Sequence, residues 1–106
     1  MVTSLSAQHL RERLDAGDTL TVLDVREPEE IAIARFDGAL EIPMQDIPAR
    51  VGELDPGAEI VVVCHHGVRS AHVAMFLVDQ GFSRVLNLTG GIDAWALEVD
   101  RSLTRY

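Results

Sequence analysis

The chain has 106 residues, 47% of them hydrophobic, which is enough for one modest core without disulfides or a structural metal, so a single domain over residues 1–106 is expected. Seventeen acidic residues against nine arginines and no lysine give a net charge of −8; this speaks against a nucleic-acid partner and removes the P-loop lysine and Schiff-base chemistry. No stretch of about 18 apolar residues is present and the N-terminus lacks the basic-then-apolar layout of a signal peptide, so neither a membrane span nor an export segment is expected.

Ser6 is placed to cap a first helix running to about Leu14, which Ala16-Gly17-Asp18 ends before a strand from Leu20 to Val25. Pro28 suits the first turn of a short helix. Ala39 to Ile42 is a short apolar piece ahead of Pro43, and Asp46 to Leu54 reads as a helix or loose turn that ends near Pro56-Gly57. Ile60 to Val63 is β-branched throughout and does not alternate, which predicts a central strand buried on both faces with Cys64 at its carboxyl end. From Ser70 the chain turns helical, with Ala71, Ala74, Met75 and Val78 along one face and Gly81 to stop it. A strand at Val85–Leu88 follows, then a last helix opened by Gly90-Gly91 and carrying Ile92, Trp95 and Leu97. Asp100 to Tyr106 reads as a short polar tail without chemistry. Strands alternating with helices predict an α/β fold, a parallel sheet with helices on both faces.

The stretch Cys64-His65-His66-Gly67-Val68-Arg69-Ser70 joins the buried strand to the helix, where open parallel sheets place their ligand sites. Cysteine reacts as its thiolate, a form favoured by a helix N-terminus and a neighbouring cation, and the next helix and Arg69 bring both. Gly67 permits a tight turn in which several N–H groups converge on an anion beside the sulfur. Arg69, unpaired at a helix start, calls for an anion to meet it, and this sets Cys64 apart from the ordinary small buried cysteine. Ser70 is in reach of the sulfur or of the helix cap. His65 and His66 either tune charge and touch substrate or are simply exposed. With Cys64 they are too tightly spaced to ligate a metal, and neither metal nor cofactor is expected. His9 and His72 read as packing or surface positions. A lone cysteine closes no intramolecular disulfide and persists best in a reducing compartment, which makes the cytoplasm the expected location.

Four stretches occur in order: Leu23-Asp24-Val25-Arg26-Glu27, Gly38-Ala39-Leu40-Glu41-Ile42-Pro43, the Cys64–Ser70 loop, and Gly90-Gly91-Ile92-Asp93-Ala94-Trp95. Together they resemble the rhodanese family of single-domain sulfurtransferases over most of the chain, from about Leu20 to Leu97. The resemblance implies a three-layer fold with a central, mainly parallel five-stranded sheet. It also implies that Cys64 takes a sulfane sulfur from thiosulfate or a protein persulfide, becomes Cys64-S-SH, and passes the outer sulfur to cyanide or a thiol. Loop amides and Arg69 would hold the anionic donor, and a sulfur-carrier or desulfurase protein is the kind of partner implied. Asp24 and Arg26 recur near the site in the family; the expected role is an ion pair with Glu29 or Glu30 that braces the second strand. Gly90-Gly91 and Trp95 look like packing, the glycines for close backbone approach and the indole over the sheet edge beneath the site. Ala34-Arg35-Phe36-Asp37 departs from the family's common Gly-His-Ile-Pro, which predicts an altered pocket rim.

A cysteine phosphatase or arsenate reductase of related fold is the competing enzyme, but its loops are longer between cysteine and arginine than His65-His66-Gly67-Val68. A non-catalytic docking or regulatory module is the alternative from another class, and the presence of Cys64 argues against it. A cysteine hydrolase needs a base opposite the thiolate with an orienting acid, and neither histidine beside Cys64 offers that. With no heptad seam or long exposed apolar stripe, a monomer is expected.

Overall fold

A computed structural model describes residues 2–106. In chain order it contains β1 (Val2–Leu5), α1 (Ala7–Asp15), β2 (Thr21–Asp24), α2 (Pro28–Ile33), β3 (Leu40–Glu41), α3 (Ile47–Arg50), β4 (Glu59–Val63), α4 (Val68–Asp79), β5 (Arg84–Leu88) and α5 (Gly91–Glu98). The five strands form one sheet in the order β1-β5-β4-β2-β3, with every pairing parallel. β4 is therefore the central strand, as its β-branched run requires. Ile60, Val62 and Cys64 face one core with Val73, Ala74 and Leu77 of α4. Val61 and Val63 face the other, with Leu10 of α1 and Ile92 and Trp95 of α5. Side-chain alternation along one strand thus feeds two apolar layers.

Three expectations need correction. The edge strand β1 was not read from the sequence, because Val2 to Leu5 is mostly solvent-facing and carries no apolar run; it is held by its parallel pairing with β5. The buried face of α4 is Ser70, Val73, Ala74 and Leu77 rather than Ala71, Ala74, Met75 and Val78, and Met75 is 62% exposed. Its helix starts at Val68, with Ser70 turned inward toward the sulfur, so the apolar stripe lies about one residue, roughly 100° of helix, from the expected one. Leu97 likewise faces outward, leaving Ile92, Trp95 and Ala96 as the buried face of α5. The Asp46–Leu54 segment is the short helix α3 between two single turns of 3-10 helix. Among the described residues no helix is long and apolar enough to cross a membrane.

Candidate active site

Cys64 directly follows β4 and is 1% exposed, with its sulfur at the start of α4. The Gly67 N–H donates to Cys64 Sγ at 3.0 Å. Gly67 is the N-cap of α4, in the left-handed region at φ +104°, and a β-carbon there would press to 3.3 Å from the Gly90 nitrogen. Glycine thus satisfies both the turn and the close approach. No side chain caps α4. Its first-turn amides, from Val68 onward, have no acceptor inside the helix, and they and the helix dipole favour negative charge at that end.

The orientation of the loop is set from behind. Ile92 N–H donates to the Cys64 carbonyl at 2.8 Å and Asp93 N–H to the His65 carbonyl at 3.1 Å, so the first turn of α5 grips both carbonyls. Among the described residues all peptides are trans, and a trans peptide points its N–H opposite to its C=O; the His65 and His66 amides are therefore turned away from α5. Gly91 makes this grip possible, because a β-carbon on it would fall onto the His65 oxygen and within 2.5 Å of the Cys64 oxygen. The expected close approach at Gly90-Gly91 is thus backbone to backbone. Trp95 lies over a sheet face, with its ring 4.7 Å from that of Phe36, and does not cover a sheet edge.

Ser70 is fully buried and is the third residue of α4, too far into the helix to be its N-cap. Of its two expected roles, contact with sulfur is the one observed: the Cys64 thiol donates to Ser70 Oγ at 3.2 Å, and the Ser70 hydroxyl donates to Asn87 Oδ1 at 2.5 Å. The Asn87 amide closes the circuit by donating to the Gly67 carbonyl at 3.2 Å. Asn87 was missed by sequence reading; its signal was a lone amide in the otherwise apolar run Val85 to Leu88 of β5, next to the cysteine strand.

Arg69 is not the unpaired cation that the sequence led us to expect. Its Nη1 and Nη2 donate to Glu30 Oε1 and Oε2 at 2.6 and 2.8 Å. The Tyr106 hydroxyl adds a bond to Glu30 Oε2 at 2.8 Å, and the Glu27 N–H adds one to Oε1 at 3.1 Å. Arg69 above all, with these two donors, holds the Glu30 carboxyl down at about 2 against the opposing effect of burial. Tyr106 also stacks on His65, with ring centroids 3.8 Å apart and planes 9° off parallel, and His66 lies against the same imidazole at 3.9 Å. The chain's last residues therefore fold back onto the loop rather than trailing as a free polar tail, and Arg105 fastens them to Asp93 at 2.9 Å. His65 Nε2 is buried without a partner, His66 is exposed with Nδ1 4.0 Å from Asp93, and Val68 is exposed. Glu30 was expected only as a partner in the brace, and its pairing with Arg69 was missed, as was Tyr106, which has no local signal.

Asp24 and Arg26 pair with each other, not with the side chains of Glu29 or Glu30. Arg26 Nη2 lies 2.7 Å from Asp24 Oδ2 and both side chains are fully buried. Arg26 also donates to the carbonyls of Ala34 and Glu30 and to the Tyr106 hydroxyl. Bracing of β2 survives as the role, with a different partner. In the departing tetrapeptide, Ala34 and Phe36 are buried and Arg35 pairs with Glu41 at 2.9 Å.

A wholly parallel α/β sheet with a glycine-turned cysteine loop between its central strand and the next helix defines a class of thiol-based α/β domains. Residues 6–98 match the family model described as Rhodanese-like domain. A sulfurtransferase of Allochromatium vinosum is 40% identical over 96 residues, covering 91% of this chain and 90% of its own. The thiosulfate sulfurtransferase GlpE of Shewanella oneidensis is 32% identical, covering 86% and 89%. The crystal structure of a rhodanese-like domain protein from Staphylococcus aureus superposes with a TM-score of 0.85 at 31% identity, covering 98% of each chain. The chain belongs to the rhodanese family, and sulfur transfer in general is the chemistry that this membership and the names of those relatives support.

Proposed function

We propose that this protein is a sulfurtransferase in which Cys64 carries the sulfur as a persulfide between a donor and a thiophilic acceptor. The observation that carries the reading is the seat of the sulfur: Gly67 N–H and Ser70 Oγ at 3.0 and 3.2 Å, at the N-terminus of α4, which no side chain caps. In the first step the Cys64 thiolate attacks the outer sulfur of thiosulfate or of a persulfide. The donor's S–S bond breaks, sulfite or a thiolate leaves with the electron pair, and Cys64-S-S⁻ remains. In the second step cyanide or a thiolate attacks that outer sulfur, and Cys64 leaves as thiolate.

The outer sulfur stands about 2 Å beyond Cys64 Sγ, one S–S bond, where loop amides rather than a water shell receive its charge. The Ser70 hydroxyl has one proton; once the thiol is ionised, turning that proton from Asn87 to sulfur replaces a repulsive lone pair by a donated bond. Because Cys64 is 1% exposed, a donor reaches it only after neighbouring side chains move. Single-domain organisation, a monomeric state, a cytoplasmic location and service to a sulfur-carrier or desulfurase partner belong to the same proposal. The phosphatase alternative is disfavoured because Arg69, which would have to clamp the oxyanion, is committed to Glu30.

Incubation with thiosulfate or a protein persulfide, followed by intact mass measurement, is expected to show one added sulfur that Cys64→Ser abolishes. Absence of that sulfur with both donors, together with hydrolysis of a phosphate ester, would overturn the reading.

A further inference from the structure

We infer that Glu30 sets the charge of the sulfur donor: by occupying Arg69 it turns the site away from small dianions such as thiosulfate and toward persulfides, R-S-S⁻. The inference rests on the sulfur-transfer reading of Cys64 but is carried by a different part of the site. Arg69 is the only arginine in the Cys64–Ser70 loop, and both of its terminal nitrogens are spent on Glu30 at 2.6 and 2.8 Å. A free anion seeking Arg69 has to displace a carboxylate that is itself held in place. Glu30 receives four donors on its two oxygens, two from Arg69 and one each from Tyr106 and the Glu27 amide.

Protonation does not release the arginine either, since Glu30 stays ionised down to about pH 2. On the other side of the loop Asp93 stands 4.0 Å from His66 and is itself paired with Arg105 at 2.9 Å, so Arg105 too is engaged, in a chain of net charge −8. A dianion pays for entry into such a field and finds no free cation in the loop to meet it. What the loop retains is the Gly67 and first-turn amides and the Ser70 hydroxyl. These suit one negative charge spread over a terminal sulfur, the charge of a persulfide, whose R group requires no cation. R is a small thiol's carbon or a protein cysteine; the recognised group is the same.

The direct test separates binding from turnover. In a Cys64→Ser background, Glu30→Gln is expected to tighten thiosulfate binding ~10-fold by calorimetry, the order of one charge-assisted interaction regained. Glu30→Ala should do the same, and adding Arg69→Met should remove the gain. With Cys64 intact, the ratio of kcat/KM for thiosulfate to that for cysteine persulfide should rise ~10-fold in Glu30→Gln, mainly through KM for thiosulfate. The wild type should load more efficiently from cysteine persulfide or a persulfidated protein than from thiosulfate, and whichever persulfide is faster identifies the source. Unchanged thiosulfate affinity in both Glu30 variants, with native melting curves, would overturn the inference, as would a wild-type preference for thiosulfate. Tighter thiosulfate binding in Glu30→Gln with no sulfur ever reaching Cys64 would instead sink the sulfur-transfer reading and leave the role of Glu30 in anion binding standing.

Discussion

Two arginine–carboxylate pairs begin within six residues of one another and do opposite things. Asp24 and Arg26 are two positions apart, both fully buried, and every remaining hydrogen-bonding direction of the guanidinium is taken by Ala34, Glu30 and Tyr106. Glu30 and Arg69 join α2 to α4 at the edge of the cysteine loop, with side chains 19% and 34% exposed. Geometry hardly separates the pairs, since both have N···O distances of 2.6–2.7 Å at their shortest. Water separates them. A charge pair cut off from solvent cannot lose one member without stranding the other, whereas in a partly exposed pair water and salt can take up the charge of the member left behind. The first is a brace and the second a selector.

The largest expected effect comes from breaking the brace. Asp24→Ala leaves the Arg26 guanidinium buried and uncompensated, and about 3–5 kcal/mol of stability should be lost in urea denaturation. Replacing both partners with apolar residues, Asp24→Leu with Arg26→Met, should recover much of that loss, because the penalty lies in the orphaned charge and less in the missing attraction. A single variant costing under about 1 kcal/mol, the range of exposed pairs, would erase the distinction between the two pairs.

The selector should show itself in acid. Its carboxyl sits at about 2, below the ordinary 4.5, so the unfolded chain takes up a proton before the folded one does. The stability from Glu30 is therefore complete above about pH 4.5 and lost as pH falls toward 2. With Arg69 a third exposed, screening leaves roughly 1–2 kcal/mol of it at neutral pH. The stability difference between wild type and Glu30→Gln should shrink to nothing across that acid window, and shrink at pH 7 in 1 M salt. A difference that persists at pH 2 would mean that Glu30 acts by shape instead of charge.

How much of this was legible in the sequence follows from distance along the chain. The cysteine loop was readable because its parts are adjacent: a β-branched strand, a cysteine at its end, a glycine able to take positive φ, and a helix behind. Even there, the face of α4 was read about one residue out of phase, because Gly67 starts the helix ahead of Ser70 and that conformation is not written in the hydrophobic pattern. β1 was illegible for a related reason: a half-wet edge strand has no apolar signature of its own and exists through its register with β5. The selector was out of reach altogether. Arg69 finds Glu30 across 39 positions and Tyr106 finds it across 76, so local reading showed an unpaired cation and an idle tail. Charge balance at the site is a property of the fold.

Tyr106 touches both pairs, accepting from Arg26 at 3.1 Å and donating to Glu30 at 2.8 Å, and it gives the smallest and most discriminating expectation. Tyr106→Phe keeps the ring that lies against His65 and deletes only the hydroxyl. Arg26 keeps Asp24 and Ala34, and Glu30 keeps Arg69, so neither pair is broken. The cost should be about 0.5–1 kcal/mol, the net worth of ordinary hydrogen bonds at a partly exposed site. Thiosulfate KM should move far less than in Glu30→Gln, because the carboxylate still holds the guanidinium by two bonds. If Tyr106→Phe instead matches Glu30→Gln in its gain for thiosulfate, the hydroxyl is what keeps Glu30 on Arg69, and the tail belongs to the selector and not to the brace.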